Sequence, residues 1–442
     1  MPLTIPEFLA PLLARPVAIF GGGVSGTGAL ELLVSVGAEA VIYDRTGVEF
    51  TEAAAARHRL VVFSPGFPLG HAWLEKARAA GCECLGEIDF ASLFWRGHLI
   101  AVTGTNGKTT LTEFLCHALA SAGYRAVPTG NFGRSFAGLA AAERGGSPEI
   151  TAVCEVSSFQ AETLLHFRAE ATLWTNFAED HLERHPGMDA YFGAKAVLAR
   201  CSDRVFAGSS VRSYAERIAK RQAPPGPAVF FDSAGDPTAD IIWIRTEDLP
   251  PNPELAGTIF FDTPQRENFV LAAAWWRAAD LDIPALYSAA RTFRLGHHRL
   301  AAVAEVDGVT YWNDSKATNF HAVEGALPRF KSPVLLIAGG KAKGGDLQGF
   351  VRRIAPRVRH MFLIGETAGE LARACDKSGV AHSVCDSLSA AVHSAAEAAR
   401  PGEHVLLSPA FASFDMFHGY ADRGDQFERL VRELAAAHVR PI

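Results

Sequence analysis

The chain has 442 residues, 48% hydrophobic and 20% charged, so it can bury several cores and is neither low-complexity nor disordered. Lys and Arg number 42 against 48 Asp and Glu, a formal net charge of −6 with no basic block, which excludes a nucleic acid held through many phosphate contacts. Seven scattered cysteines without a C-x-x-C pair exclude a zinc ribbon or dithiol site and suit reduced thiols in a cytoplasm. The opening MPLTIPEFLAPLLARP has no basic region of a signal peptide, and no apolar run reaches the roughly 18 residues of a membrane helix.

Strand-length apolar runs recur along the chain: VAIFG (17–21), AVIYD (40–44), LVVFS (60–64), HLIAVTG (98–104), TAVCEVS (151–157), ATLWTN (171–176), VLLIAGG (334–340), MFLIG (361–365) and HVLLSP (404–409). Nearly continuous apolar runs predict strands buried on both faces, as in parallel sheets covered by helices. Helical patterns lie between them. One is DSLSAAVHSAAEAAR (386–400), with Asp386 or Ser387 placed as its N-cap. The fold class is α/β throughout. Seams before residue 98 and near 295 divide the chain into 1–97, 98–295 and 296–442, each with its own strands, and APPGP (223–227) reads as a turn or surface loop in the middle piece.

GGGVSG (21–26) follows the first strand and opens a helical pattern; Gly21, Gly23 and Gly26 fit G-x-G-x-x-G, and Asp44 ends the next strand. Such glycines let backbone approach a pyrophosphate at a helix N-terminus, and the acid takes a ribose hydroxyl. A plain glycine turn of any βαβ unit can look the same, and the pattern specifies a nucleotide diphosphate, not a nicotinamide. TGTNGKTT (103–110) follows strand 98–104 and precedes an apolar helix with Leu111, Phe114, Leu115, Ala118 and Leu119. That is the order of a phosphate loop, although Val102 stands where the common spacing has its first glycine. Gly104 and the amides of Thr105, Asn106 and Gly107 would cradle oxygens. Lys108 would neutralise β/γ charge, and Thr109, next to Thr110, would ligate Mg²⁺.

Downstream, CEVSSFQAE (154–162) puts Glu155 at the end of a buried strand, and TNFAEDHLERHPGMDAYFGAKAVL (175–198) carries His181 beside Asp180. A strand-end carboxylate near a phosphate loop suits a magnesium ligand, and His181 is read as another. With these motifs the sequence resembles the Mur ligases, the ATP-dependent amide-forming enzymes of peptidoglycan synthesis, whose loop is written T-G-T-N-G-K-[ST]-T without the early glycine. NDSKATN (313–319), AGGKAKGGD (338–346) and LLSPAFASFDMFHGYADRGDQF (406–427) resemble the branch of that family that adds D-glutamate to UDP-N-acetylmuramoyl-L-alanine. The likeness covers essentially the whole chain.

The resemblance implies a monomeric cytoplasmic ligase working through an acyl phosphate. Its three domains would be a Rossmann-like one for the UDP substrate, a central phosphate-loop ATPase-like one, and a Rossmann-like one for the amino acid. It implies two Mg²⁺ sites, the second held by Lys195 after carbamylation, and a catalytic set of Lys108, Asn131, His181 and Lys195. Asn131 and Ser157 match family positions near substrate and phosphates. Val24, Ser25, Asp44, Arg45 and the turn Ser64 to Gly66 would hold UDP. Thr318, Lys343, Ser413 and Tyr420 would face glutamate, and Asn268, His298, Arg299, Asp314 and Lys316 would meet the nucleotide. Two motifs depart from the family: its H-N-x-x-N reads PQREN (264–268), and its H-R-x-E reads HRLA with Ala301 for the acid. Other readings stay open: L-glutamate as the added amino acid, an NAD-dependent dehydrogenase resting on GGGVSG, and an inactive Mur-like binding protein.

Overall fold

A computed structural model describes residues 3–44, 47–221, 240–249 and 252–438. Arg45 and the APPGP stretch lie outside the described residues. The described chain forms three sheets. In the first, β1 (Val17–Phe20), β2 (Ala40–Tyr43), β3 (Leu60–Phe63) and β4 (Glu83–Gly86) run parallel in the order β2-β1-β3-β4. In the second, β5 (His98–Thr103), β6 (Arg125–Gly130), β7 (Ile150–Glu155), β8 (Ala169–Trp174), β9 (Ser202–Gly208) and β10 (Asp240–Ile244) are all parallel, in the order β10-β9-β8-β5-β7-β6.

The third sheet holds β11 (Ala301–Val306), β12 (Val309–Asn313), β13 (Val334–Gly339), β14 (Val358–Ile364), β15 (His382–Val384) and β16 (His404–Leu407), in the order β11-β12-β16-β13-β14-β15. It is parallel except at its edge, where β11 pairs antiparallel with β12. The turn between them is Asp307-Gly308, both at positive φ (50° and 75°), the two-residue hairpin that D-G favours. The parallel-sheet expectation fails at this strand because a two-residue turn can only return antiparallel.

The apolar runs become strands, and those of β1, β3 and β13 are buried on both faces. The helix after β5, Lys108–Ser121, buries Leu111, Phe114, Leu115, Ala118 and Leu119, one face of a 3.6-residue period. The helix Leu388–Ala398 is capped by Ser387, whose hydroxyl accepts the Ala390 amide at 3.1 Å.

The chain divides into two compact units. The first takes residues up to Phe177 together with Asp189–Phe293 and so contains the first two sheets; the second takes Ala178–Met188 and the residues from Arg294 on, with the third sheet. Within the first unit the two sheets share one core, in which Leu32 and Leu33 of helix Val24–Ser35 pack with Phe136 and Leu139 of helix Phe136–Ala142. Gly28 permits this approach: a Cβ there would lie 1.9 Å from the Ser135 hydroxyl. Among the described residues no helix is long and apolar enough to cross a membrane.

Candidate active site

The strand order decides where loops can meet. In open parallel sheets, ligand crevices form at the carboxyl ends of strands where the order reverses. In the first sheet that point lies between β1 and β3. The loops leaving these two strands, Gly21–Ser25 and Ser64–Phe67, join Asp44 after β2 around a cavity of about 440 Å³. The Asp44 carboxylate accepts the Gly22 amide at 2.6 Å. Gly26 must be glycine, since a Cβ there would lie 1.8 Å from the Gly21 carbonyl oxygen. Val24 is 71% exposed on the cavity wall, and Ser64 Oγ is buried without a hydrogen-bond partner. Val24, Ser25, Asp44, Ser64 and Gly66 are thus neighbours.

In the second sheet the order reverses at β5. The loop 104–107 turns through Gly104 (φ 141°) and Gly107 (φ 81°), which caps the helix Lys108–Ser121. Its shape is fixed from β8: Asn176 accepts the Asn106 amide at 2.9 Å, Thr175 donates to the Asn106 carbonyl at 2.6 Å, and the Thr105 amide donates to the Asn176 carbonyl at 3.0 Å. Two ammonium groups converge on it. Lys108 Nζ donates to the carbonyls of Gly104 (2.9 Å) and Thr105 (2.8 Å), and the buried Lys195 Nζ donates to Gly104 at 2.9 Å. Thr109 and Thr110 are buried at the helix start. Asn268 lies against Gly107, where a Cβ would meet its amide at 2.7 Å, and its Nδ2 donates to Gln265 at 2.8 Å. The departure PQREN therefore keeps an ordered amide pair at the loop.

At the end of β7, Glu155 is 2% exposed; its Oε1 accepts from Asn131 Nδ2 at 2.9 Å, while its buried Oε2 has no hydrogen-bond partner. An orphaned buried carboxylate oxygen suits a cation. Ser157 spends its hydroxyl on a capping box, accepting the Gln160 amide at 3.3 Å. Among the described residues no group of three or more His, Cys, Asp or Glu side chains is gathered to hold a metal.

In the second unit β12, β16 and β13 are neighbours, so the loops after them, which carry NDSKATN, SPAFAS and GGKAKGG, emerge side by side although far apart in sequence. Segment 178–188 joins them. Asp180 accepts from Asn319 Nδ2 at 2.9 Å and stands 3.7 Å from Lys343 Nζ. These residues, with Thr318, line a cleft of about 20 Å³, room for little more than one water. His181 follows at positive φ (56°), 3.6 Å from Asp180; burial holds its imidazole below the usual pKa against the pull of that carboxylate. A neutral imidazole is a metal ligand, an imidazolium is not.

Behind the cleft, Asp314 accepts from the Leu300 amide (3.1 Å) and the Ser408 hydroxyl (2.8 Å). Burial pushes its carboxyl up to about 7, against those bonds and the charges of Arg299 and Arg329. His298 is buried beside Asn313 at 2.8 Å. Lys316 Nζ stands 5.2 Å over the Tyr420 ring, and Ser413 is buried at 2% exposure. Gln265, Asn319 and Arg423 are the neighbours that motif reading does not single out, although each lies inside or beside a quoted motif.

Comparison with known proteins establishes the family. Residues 102–237 match the Mur ligase middle domain and residues 298–411 the Mur ligase glutamate ligase domain. The chain is 32% identical to the UDP-N-acetylmuramoylalanine--D-glutamate ligase of Caldanaerobacter subterraneus subsp. tengcongensis, over 96% of this chain and 99% of that one. It is 34% identical to the protein of the same name from Pelotomaculum thermopropionicum, over 95% and 98%. Among solved structures it resembles UDP-N-acetylmuramate-alanine ligase from Thermotoga maritima, with a TM-score of 0.59 at 13% identity over 95% of this chain and 99% of that one. It also resembles a pseudomurein peptide ligase from Methanothermus fervidus, with a TM-score of 0.56 at 12% identity over 95% and 100%. These two likenesses concern the fold. The chain belongs to the Mur ligase family, and it is an ATP-dependent ligase.

Proposed function

We propose that this chain adds D-glutamate to UDP-N-acetylmuramoyl-L-alanine at the expense of ATP, as a monomer in the cytoplasm, in the synthesis of peptidoglycan precursors. The observation that carries the reading is the cleft of the second unit, lined by Lys343 and Thr318 from two of the branch-specific motifs, where Lys343 stands 3.7 Å from the Asp180 carboxylate. A lysine held to an acid in a cleft suits the side-chain carboxylate of an incoming glutamate, which would take the place of Asp180. Ser413 and Tyr420 complete that side of the site. The name shared by the relatives supports the same amino acid.

In this reading residues 1–97 bind the UDP substrate, 98–295 bind ATP, and 296–442 bind the amino acid. Val24, Ser25, Asp44, Arg45 and the Ser64–Gly66 turn hold the UDP end. Gly104 to Thr110 cradle the ATP phosphates, with Asn268, Arg299, Asp314 and Lys316 on the nucleotide. The substrate carboxylate takes the γ-phosphoryl group and ADP leaves; the amine of glutamate then attacks the acyl phosphate, and phosphate departs. Lys108 and Asn131, with Ser157 nearby, orient the groups that carry charge in this transfer. Mg²⁺ would be held by Thr109, Glu155, His181 and carbamylated Lys195, the residues the family resemblance implies, and would supply further charge neutralisation; the orphaned Glu155 oxygen and the neutral His181 imidazole suit that role.

Phosphate release from ATP with UDP-N-acetylmuramoyl-L-alanine and D-glutamate, L-glutamate or no amino acid tests the reading. Turnover with D-glutamate alone is expected. Turnover with L-glutamate alone would transfer the roles to the other enantiomer, and no turnover with either would overturn them.

A further inference from the structure

The helix Tyr420–His438 carries an arginine that is fully buried, Arg423, at 0% exposure. Its guanidinium has no ion pair among the described residues, where each of its hydrogen bonds goes to a neutral oxygen. Nε donates to Ser315 Oγ at 3.0 Å and Nη2 to the Ser315 carbonyl at 2.9 Å. Nη1 and Nη2 both donate to the Phe411 carbonyl at 3.2 Å. Ser315, itself at 0% exposure, passes its hydroxyl proton on to the Tyr420 carbonyl at 2.8 Å.

A buried cation costs several kcal/mol unless its surroundings repay it, and an apolar side chain of equal size is often the more stable choice. What an apolar residue cannot do is tie segments together. Arg423 joins three. Ser315 lies in the loop after β12, three residues before Thr318 and next to Lys316. Phe411 lies in the loop after β16, two residues before Ser413. Tyr420 opens the helix that carries Arg423 itself. One planar fork with five donors thus ties two loops, through Ser315 and Phe411, to the helix that carries it. A lysine ammonium is a single point with three donors and cannot span Ser315 and Phe411 in the same plane.

We propose that Arg423 is a positioning residue for the amino-acid substrate: it touches no substrate, but its bonds to Ser315 and Phe411 hold the two loops in the spacing that glutamate binding requires. This rests on the amino-acid site assigned above. The residues proposed for the UDP substrate, among them Val24, Ser25 and Asp44, lie instead in the first unit around a cavity of their own, so binding of that substrate does not depend on the staple.

The test uses the full chain with Arg423→Lys and Ser315→Ala, the second removing the Nε bond and the Ser315–Tyr420 bond while keeping the buried cation. Amide hydrogen exchange is followed in 314–319 and 408–417, and KM is measured for UDP-N-acetylmuramoyl-L-alanine and for whichever glutamate enantiomer the wild type turns over. For Arg423→Lys the expected result is faster exchange confined to both loops. With it, KM for glutamate should rise about tenfold or more, while KM for UDP-N-acetylmuramoyl-L-alanine changes less than about twofold. Ser315→Ala should show the same pattern more weakly. Unchanged exchange in folded variants, or equal rises in both KM values, overturns the proposal. If the wild type turns over neither enantiomer, the assigned function fails by itself. The exchange measurement still decides the staple: faster exchange in both loops supports it, and unchanged exchange overturns it.

Discussion

The GGGVSG turn after β1 and the TGTNGKTT turn after β5 both leave the carboxyl end of a parallel strand and open a helix, yet they are furnished differently. The first borders a cavity of about 440 Å³ whose one acid, Asp44, is tied to a backbone amide. The second has two ammonium groups drawn onto a single carbonyl, that of Gly104, and a loop fixed from the neighbouring strand. Glycine turns alone offer amides and a helix dipole, which suffice to bind a phosphate. Charge that moves during a reaction needs preorganised cations as well. On the proposed reading, the first turn holds and the second transfers.

Substitutions in the two regions should therefore fail in different ways. Lys108→Ala should lower kcat by about 10²–10³-fold, the range for losing one preorganised donor, and leave binding of the UDP substrate by calorimetry unchanged. A variant with normal kcat would erase the distinction between the turns. Lys195→Ala should lose activity to a similar degree and recover part of it with added formate or acetate, because the missing group is the carbamate's carboxylate; full activity without rescue would remove the carbamate. Asp44→Asn should act in the opposite sense. It should raise KM for the UDP substrate about tenfold, as expected for a bond to a charged group, with kcat within about twofold.

The smallest effect lies where the two regions join. Glu87, in the short helix after β4, accepts the Ala137 amide through Oε1, while its Oε2 is buried and orphaned. Burial pushes this carboxyl up to about 7 from its ordinary 4.5. With the folded pKa raised, the folded chain binds a proton that the unfolded chain has already released. The stability it contributes is complete below pH 4.5 and is lost as pH rises to about 7. Glu87→Gln keeps the acceptor and cannot ionise. Its thermal midpoint should match wild type at pH 4 and exceed it at pH 8, by up to about 3 kcal/mol of stability, without altering either KM. Parallel pH curves for the two proteins would exclude a titrating Glu87.

The strands legible in the sequence are those buried on both faces, such as β3 and β13, because only there does every position have to be apolar. Edge strands escape that demand. β6 carries Arg125 and Pro128 and is half-solvated, and β15 is three residues long with none fully buried. β11 and β12 are not read from the sequence, because what marks them is the D-G turn between them, a signal of pairing rather than of burial. At the site, the phosphate loop is legible because its residues are consecutive. Arg423 is not, because its function exists only once three distant backbones are folded around it. Asp180 is intermediate: its adjacency to His181 is local, but its approach to Lys343 belongs to the folded unit.

The most direct test of the division between a holding and a transferring site is isotope transfer. UDP-N-acetylmuramoyl-L-alanine labelled with ¹⁸O in its carboxylate is turned over with ATP and D-glutamate, and the released phosphate is analysed by mass. An acyl phosphate made from the substrate of the first region and the ATP of the second leaves one ¹⁸O in the phosphate, and that is the result expected. Product formed with unlabelled phosphate would contradict it, because the carboxylate would then have been activated by some route other than phosphoryl transfer at the Lys108 loop.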